Sequence, residues 1–205
     1  MPKPRSSCRP VNRPVVGVMG GSFDPPHHGH ISIAKSFLQS GRIDRLMVVP
    51  VFVPPHKSDD LSRYEIRLNM AKAAFSGIRQ IEVSDLESRL PVPSYSWNTL
   101  MYLKDEAAGS VIRLCIGGDS LAEFTSWFRY KDILRQFELI VAERPGFSRP
   151  ELPAEFTGRV TFIEHEPLDI SATELRRRAS DGLLSGDYIP EAVCKIISDE
   201  GLYRK

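Results

Sequence analysis

The 205-residue sequence has few cysteines, no long apolar run and almost no net charge. Its three cysteines, Cys8, Cys115 and Cys194, lack C-x-x-C spacing and are odd in number, which indicates free thiols in a reducing cytoplasm. The most apolar run, residues 46–53, contains Pro50 and is far shorter than the roughly 20 residues that cross a bilayer. The 27 basic and 26 acidic residues give a net charge of +1, so neither a nucleic acid nor a membrane is expected as a partner.

Basic charge is concentrated at the N-terminus. Residues 1–14 contain four basic residues, four prolines and no acidic residue, and they lack the apolar stretch of roughly 7–15 residues that a signal peptide needs. A proline-rich segment with so little apolar surface cannot join a core. The sequence therefore predicts a flexible basic tail at residues 1–14 and one catalytic domain at residues 15–205.

After residue 14, short apolar segments alternate with segments of helical periodicity, as in residues 97–101. This alternation predicts an α/β fold, a Rossmann-like doubly wound parallel sheet in a single domain with helices on both faces. S-x-x-E spacing at Ser62 and at Ser171 predicts two helix starts, and Pro190 predicts a third. The predicted strands are Val15–Met19, Leu46–Val49, Ile81–Val83, Val111–Ile116, Glu138–Ala142 and Val160–Ile163.

The segment between the first predicted strand and helix, residues 20–30, carries the most chemistry. Gly20 and Gly21 let backbone N–H groups approach a ligand, and the following helix presents its positive end, which suits a polyphosphate. The segment matches neither the dinucleotide fingerprint G-x-G-x-x-G nor the P-loop. His27 and His30 can donate N–H bonds to phosphate, and in protonated form would neutralise charge on a leaving pyrophosphate. A metal site is less favoured, because no cysteine or carboxylate lies at ligand spacing.

This segment, Gly-Gly-Ser-Phe-Asp-Pro-Pro-His-His-Gly-His, resembles the G-x-F-D-P-x-H-x-G-H signature of the nucleotidyltransferase superfamily. Residues 170–176, Ile-Ser-Ala-Thr-Glu-Leu-Arg, resemble its second motif. The chain also resembles the bacterial nicotinate-nucleotide adenylyltransferase family from Val15 to Tyr203. Further segments match that family in order: residues 54–57, 94–100 and 118–127.

The resemblance implies an enzyme that moves AMP from ATP to nicotinate mononucleotide, giving deamido-NAD and pyrophosphate in NAD biosynthesis. It implies Mg²⁺ as cofactor, bound mainly through the ATP phosphates and not by a metal site of the protein, and it leaves a homo-oligomer open. Direct in-line attack without a covalent enzyme intermediate is expected, because the 5′-phosphate of the acceptor is already a nucleophile. The absence of a Ser–His or Cys–His pair fits such a reaction.

The resemblance also assigns site residues by position. His27, His30 and Arg176 are the expected catalytic residues. Residues expected to bind ATP are Gly20, Gly21, Ser22, Phe23, His27, His30, Lys57, Ser171, Thr173 and Arg176. Residues expected to bind the acceptor are Tyr95, Ser96, Asp119, Trp127 and Phe128. The expected contacts are ribose hydroxyls for Asp119 and the pyridine ring for Trp127.

Three residues close in sequence to the expected site residues are predicted to lie outside the site. Trp97 has helical spacing with Leu100 and Met101 and is predicted to be packed in the core. Successive helical residues turn by about 100°, so Arg177 and Arg178 are predicted to be solvated.

The sequence departs from the family pattern at three positions. Ser96 stands where the family usually has threonine, Asn98 where it has an acid, and Ala172 where it has a second serine. Asn98 would leave the pocket less negative. Two other readings stay open: an adenylyltransferase acting on nicotinamide mononucleotide or phosphopantetheine, and a nucleotide-binding sensor without turnover.

Overall fold

Six strands form the centre of the structure. The computed structural model describes residues 13–55, 61–107, 109–143 and 152–204. Its strands are β1 (Val15–Gly21), β2 (Arg45–Pro50), β3 (Ile81–Val83), β4 (Val111–Gly117), β5 (Glu138–Glu143) and β6 (Val160–Glu164). They form one sheet in the order β3-β2-β1-β4-β5-β6, and all neighbouring pairs are parallel.

All six predicted strands are confirmed, and only their ends differ, by one or two residues. The strand order confirms the Rossmann-like, doubly wound sheet. The chain leaves β1 toward one edge through β2 and β3, and returns to its other side at β4. Ligands of such sheets lie beyond the carboxyl ends of the strands at this point of reversal. The sheet therefore places the ends of β1 and β4 at the expected site.

Helices cover both faces of the sheet. Phe37, Met70 and Val193 of three helices belong to one apolar cluster, whereas Leu100 and Ile133 of two others belong to a second cluster. The helices are α1 (His28–Gln39), α2 (Tyr64–Phe75), α3 (Ser96–Glu106), α4 (Gly118–Ala122), α5 (Tyr130–Gln136), α6 (Ala172–Ser180) and α7 (Glu191–Asp199). Two clusters on opposite sides of one sheet form the core of a three-layer α/β structure.

Two of the three predicted helix starts are confirmed. The Ser171 hydroxyl caps α6 by accepting the backbone N–H of Glu174 at 3.2 Å, and α7 begins directly after Pro190. The prediction for Ser62 is wrong, because α2 begins after Arg63 and no cap from Ser62 is formed. The backbone N–H of Ser62 is bound elsewhere, to a buried carboxylate described below.

The remaining predictions from composition concern the cysteines, membrane spans and the basic tail. Cys115 is buried and Cys194 half-buried, and both are free thiols. Within the described ranges, every helix is too short or too polar to cross a membrane. Cys8 and residues 1–12 lie outside the described residues, so the basic tail and the domain boundary at residue 15 stay predictions.

Candidate active site

A cleft of about 170 Å³ opens where the strand order reverses. Its walls come from the start of α1, the junction of β4 and α4, the end of β5 and the loop after β6. This position matches the rule for ligand sites in doubly wound sheets. The lining residues are His27, Gly29, His30, Ile33, Gly117, Gly118, Asp119, Ala142, His165, Pro167, Leu168 and Ile170.

Two histidines form the α1 wall of the cleft. His27 is the N-cap of α1, and its ring lies 3.9 Å from the ring of His30, centroid to centroid. The backbone N–H of His27 donates to Nδ1 of His30 at 3.2 Å. A neutral His30 ring that accepts at Nδ1 carries its proton on Nε2. The helix start therefore fixes which nitrogen of His30 can donate to a ligand.

Burial keeps both histidines neutral near pH 7. Desolvation, with a smaller effect of His28, lowers the pKa of His27 to about 4. Desolvation, with a smaller effect of His27, lowers the pKa of His30 to about 3. Both imidazoles are therefore neutral in the ligand-free protein, and a protonated imidazole facing a leaving pyrophosphate stays a prediction for the ligand-bound site. These side chains can donate N–H bonds to phosphate, but they do not supply positive charge before a ligand binds.

Gly29 allows the two rings to share the first turn. A Cβ at this position would lie 2.9 Å from both Cε1 and Nδ1 of His27, closer than such atoms approach. The ring of His27 thus lies over the backbone of the following turn. This close contact explains why the residue between the two histidines has no side chain.

The segment before α1 packs against the histidine pair and supports its position. Phe23 has a φ of +50°, in the left-handed region, and only 1% of its surface is exposed. Its ring packs edge-on against His30, at 5.1 Å between centroids, and against Phe75. Contrary to the expectation, the Phe23 ring does not line the cleft, because it is buried and supports His30. Gly20 at the end of β1 and Ser22 just after it are exposed, and Gly21 lies against the Phe23 ring.

Helix α6 brings its N-terminal half toward the same segment. Arg176 donates through Nη1 to the backbone carbonyl of Asp24 at 2.9 Å and through Nη2 to the hydroxyl of Thr173 at 3.4 Å. The predicted catalytic arginine therefore contacts the histidine-bearing segment. Arg177 is solvated and paired with acids on its own helix, as predicted. The prediction for Arg178 is wrong: it is half-buried and lies over the Tyr188 ring.

The predicted acceptor residues lie on two elements. Tyr95 and Ser96 are at the start of α3, and the Tyr95 ring stacks on Phe128 with 4.4 Å between centroids. Trp127 is half-buried against Phe124, whereas Asp119 lies in the first turn of α4 and lines the cleft.

Trp97 and Lys57 are two further residues with predictions from the sequence. Trp97 is packed in the core, as predicted, beneath the guanidinium of Arg129. Lys57 lies outside the described residues.

Two buried polar residues were missed by the sequence analysis, and one of them lines the cleft. His165 lines the cleft, with its Nδ1 3.0 Å from the Ser36 hydroxyl. Glu87 is buried, and it accepts from the Thr99 hydroxyl at 2.9 Å and from the backbone N–H of Phe52 at 3.1 Å. No motif marks either residue. The position of His165 directly after β6, at the carboxyl edge of the sheet, is the one signal that could have found it.

Comparisons with known proteins agree with this geometry. A family model described as cytidylyltransferase-like matches residues 18–178. A Thermotoga maritima protein named "Probable nicotinate-nucleotide adenylyltransferase" is 36% identical over 194 residues, covering 93% of this chain and 93% of that protein. A Roseiflexus sp. protein of the same name is 36% identical over 195 residues, covering 92% of this chain and 98% of that protein. The chain belongs to the nicotinate-nucleotide adenylyltransferase family.

A solved structure shares the fold of this family member. It is that of Plasmodium falciparum nicotinic acid mononucleotide adenylyltransferase complexed with NaAD, with a TM-score of 0.78 and 21% sequence identity. The match covers 93% of this chain and 97% of that chain. Family membership, read from the motifs, is confirmed, and it makes the chain an enzyme of the nucleotidyltransferase class.

Replacement of Gly29 by alanine tests the packing of the two histidines. The added methyl group should displace the His27 ring and lower kcat by about tenfold or more, since small misplacements of positioning groups are costly. The melting temperature should not fall comparably, because alanine forms helices better than glycine by about 1 kcal/mol, which offsets part of the cost of moving the ring. Steady-state kinetics and thermal denaturation measure the two effects.

Gly77 offers a matched control. A Cβ there would meet nothing within 4 Å, so Gly77→Ala should leave kcat unchanged. Equal kcat values for the Gly29 variant and the wild type would show that the His27 ring position is unimportant.

Proposed function

We propose that this protein transfers the adenylyl group of ATP to nicotinate mononucleotide, giving deamido-NAD and pyrophosphate in NAD biosynthesis. The observation that carries the proposal is the pair His27 and His30, held as N–H donors at the start of a helix beside a cleft at the strand reversal. The names of the relatives support the choice of acceptor.

The ATP half of the site is proposed to lie between α1 and α6. His27 and His30 would donate to phosphate oxygens together with backbone N–H groups at Gly20, Gly21 and Ser22. Arg176 has five N–H donors, and its contacts to Asp24 and Thr173 leave others for the triphosphate. Ser171 and Thr173 at the start of α6 would face the same phosphates. Lys57 remains a proposed phosphate contact from the sequence alone.

The proposed chemistry needs positioning and charge stabilisation only. A 5′-phosphate oxygen of the mononucleotide attacks the α-phosphorus of ATP, the bond to the β-phosphate oxygen breaks, and pyrophosphate leaves with the electron pair. The protein holds the two phosphates in line and stabilises the negative charge that moves to the leaving oxygens. No side chain has to act as a nucleophile, in keeping with direct in-line transfer.

Mg²⁺ is proposed to arrive as part of the substrate, bound to the ATP phosphates. In the described part of the chain, no group of three His, Cys, Asp or Glu side chains is arranged to hold a metal ion. The neutral imidazoles and Arg176 supply donors for phosphate oxygen, so they complement a metal-bound triphosphate.

The acceptor half is proposed to lie between the start of α4 and the start of α3. Asp119 in the first turn of α4 would accept from ribose hydroxyls. Trp127 would stack on the pyridine ring, and backbone N–H groups near Ser96 and Phe128 would bind the carboxylate. The Tyr95–Phe128 stack joins the two elements that supply these groups, which supports a shared binding role.

Pyrophosphate release tests the proposal. Purified protein with ATP and Mg²⁺ should release pyrophosphate with nicotinate mononucleotide and release much less with nicotinamide mononucleotide, because donors placed for a carboxylate would stay unpaired. Equal rates with both would show that the carboxylate is not read. Release with neither, while ATP still binds, would contradict the proposal and favour phosphopantetheine as acceptor or a sensor without turnover.

Replacement of Trp127 by alanine tests the acceptor half separately. Loss of the stacking surface should raise KM for the mononucleotide by about tenfold, since base–aromatic stacking contributes roughly 1–3 kcal/mol. KM for ATP should stay within about twofold. Trp127→Phe, which keeps an aromatic face, should recover much of the loss in the same steady-state assay. Equal increases in both KM values would mean that Trp127 only supports the fold around Phe124.

A further inference from the structure

Asp24 is a buried carboxylate that the proposed chemistry does not use. It lies in the histidine-bearing segment and its side chain has no exposed surface. One oxygen accepts from the Tyr203 hydroxyl at 2.5 Å, and the other accepts from the backbone N–H of Ser62 at 3.0 Å. A buried carboxylate is costly unless both oxygens are bound, so these two contacts fix its position.

The backbone of the same residue contacts the proposed catalytic arginine. The carbonyl of Asp24 accepts from Nη1 of Arg176 at 2.9 Å. Asp24 thus joins three parts of the chain: the segment that leads to His27, the arginine of α6 and a tyrosine 179 residues away. A displacement of the Asp24 side chain would move the carbonyl that holds Arg176.

Tyr203 packs against the apolar core. It follows α7, whose Val193 and Ile197 are buried in the core, and it has a φ of +61°. Burial, with the hydrogen bond to Asp24 as a second cause, raises the pKa of Tyr203 well above its ordinary value, so the hydroxyl stays protonated and donates. The carboxylate therefore always meets a donor from the C-terminal segment.

The guanidinium of Arg67 braces the same region from α2. It donates to the backbone carbonyls of Ser22 and Ser62, at 2.9 Å each. Arg67 and Arg176 both bond to the backbone of this network, Arg67 at Ser22 and Ser62 and Arg176 at Asp24. Arg67 holds the backbone on both sides of the Asp24 contacts, but neither bond fixes the carboxylate itself. That leaves the orientation of Asp24 to Tyr203 and to the N–H of Ser62.

We infer that Tyr203 is a positioning residue for adenylyl transfer, which acts through Asp24 to place Arg176 at the ATP phosphates. The inference rests on the proposed function for the role of Arg176. It assigns the C-terminal segment a part in the ATP half of the site and none in the acceptor half. Loss of the hydroxyl leaves one carboxylate oxygen without a donor, and the carboxylate then turns toward Arg67 or water and shifts the Asp24 carbonyl.

The test is a double-mutant cycle of Tyr203→Phe and Asp24→Asn, with kinetics far below the melting temperature. Tyr203→Phe should lower kcat/KM for ATP by about tenfold or more, with KM for nicotinate mononucleotide within about twofold. A merely structural role would lower the active fraction, which reduces kcat without separating the two KM values. If Tyr203 acts through Asp24, the double variant should be no worse than Asp24→Asn alone.

Tyr130→Phe is the matched control. It removes another tyrosine hydroxyl that bonds a carboxylate, that of exposed Glu155 at 3.2 Å, away from the phosphate segment. It should leave both KM values and kcat unchanged. Unchanged kcat/KM for ATP in Tyr203→Phe, or losses that simply add in the double variant, would overturn the inference.

A binding measurement separates this inference from the proposed function. The Kd of a non-hydrolysable ATP analogue with Mg²⁺ should rise several-fold in both Tyr203→Phe and Asp24→Asn, and not in Tyr130→Phe. This readout needs no turnover. Wild-type protein that turned over no mononucleotide would contradict the proposed function, while the analogue would still show whether Tyr203 places Arg176.

Discussion

The site depends on the fixed course of residues 20–30 between the end of β1 and the first turn of α1. Phe23 lies in the left-handed region, which costs on the order of 1–3 kcal/mol for a residue with a side chain. Burial of its ring against His30 and Phe75 contributes a comparable amount, roughly 1.5–3 kcal/mol. Core packing thus holds a backbone conformation that an isolated segment would avoid. This packing supports the His30 ring, and the bond from the His27 N–H to His30 Nδ1 ties the two histidines together.

The same packing determines the electrostatics of the site. The packing that buries Phe23 and His30 also excludes water from both imidazoles. This desolvation is the main reason for the lowered pKa values of the two histidines. Among the described residues, the positive charge of this region is therefore carried by Arg67 and Arg176 and not by the histidines. Neutral donors in the cleft, with a permanent cation bonded to the segment that precedes them, would bind a polyphosphate without a proton having to be taken up first.

Much of the fold could be predicted from the sequence because its signals are local. The six strands are short apolar runs bounded by turn residues, and each was found within one or two residues of its observed ends. Trp97 was placed in the core from its helical spacing alone. His27, His30 and Asp119, which follow strand ends, were likewise expected at the carboxyl edge of the sheet, and the cleft brings them together.

The remaining features depend on contacts between distant parts of the chain. The predicted start of α2 is wrong because the backbone N–H of Ser62 donates to Asp24 and takes no part in a capping box. The S-x-x-E pattern does not reveal that a distant carboxylate competes for this N–H. The Tyr203–Asp24 bond joins residues that are 179 positions apart in the sequence. Arg178 was expected in solvent because Tyr188, over which it lies, belongs to a later loop. Such contacts follow from the assembled sheet and helices only.

The central claim is that neutral, ordered imidazoles of His27 and His30 meet the phosphates of ATP. Nitrogen-15 NMR of the histidine side chains at pH 7, with and without a non-hydrolysable ATP analogue and Mg²⁺, tests it most directly. The account predicts neutral rings in the free protein, with the His30 proton on Nε2, and a shift of that nitrogen when the analogue binds. Charged imidazolium rings in the free protein, or resonances that the bound analogue leaves unchanged, would contradict it.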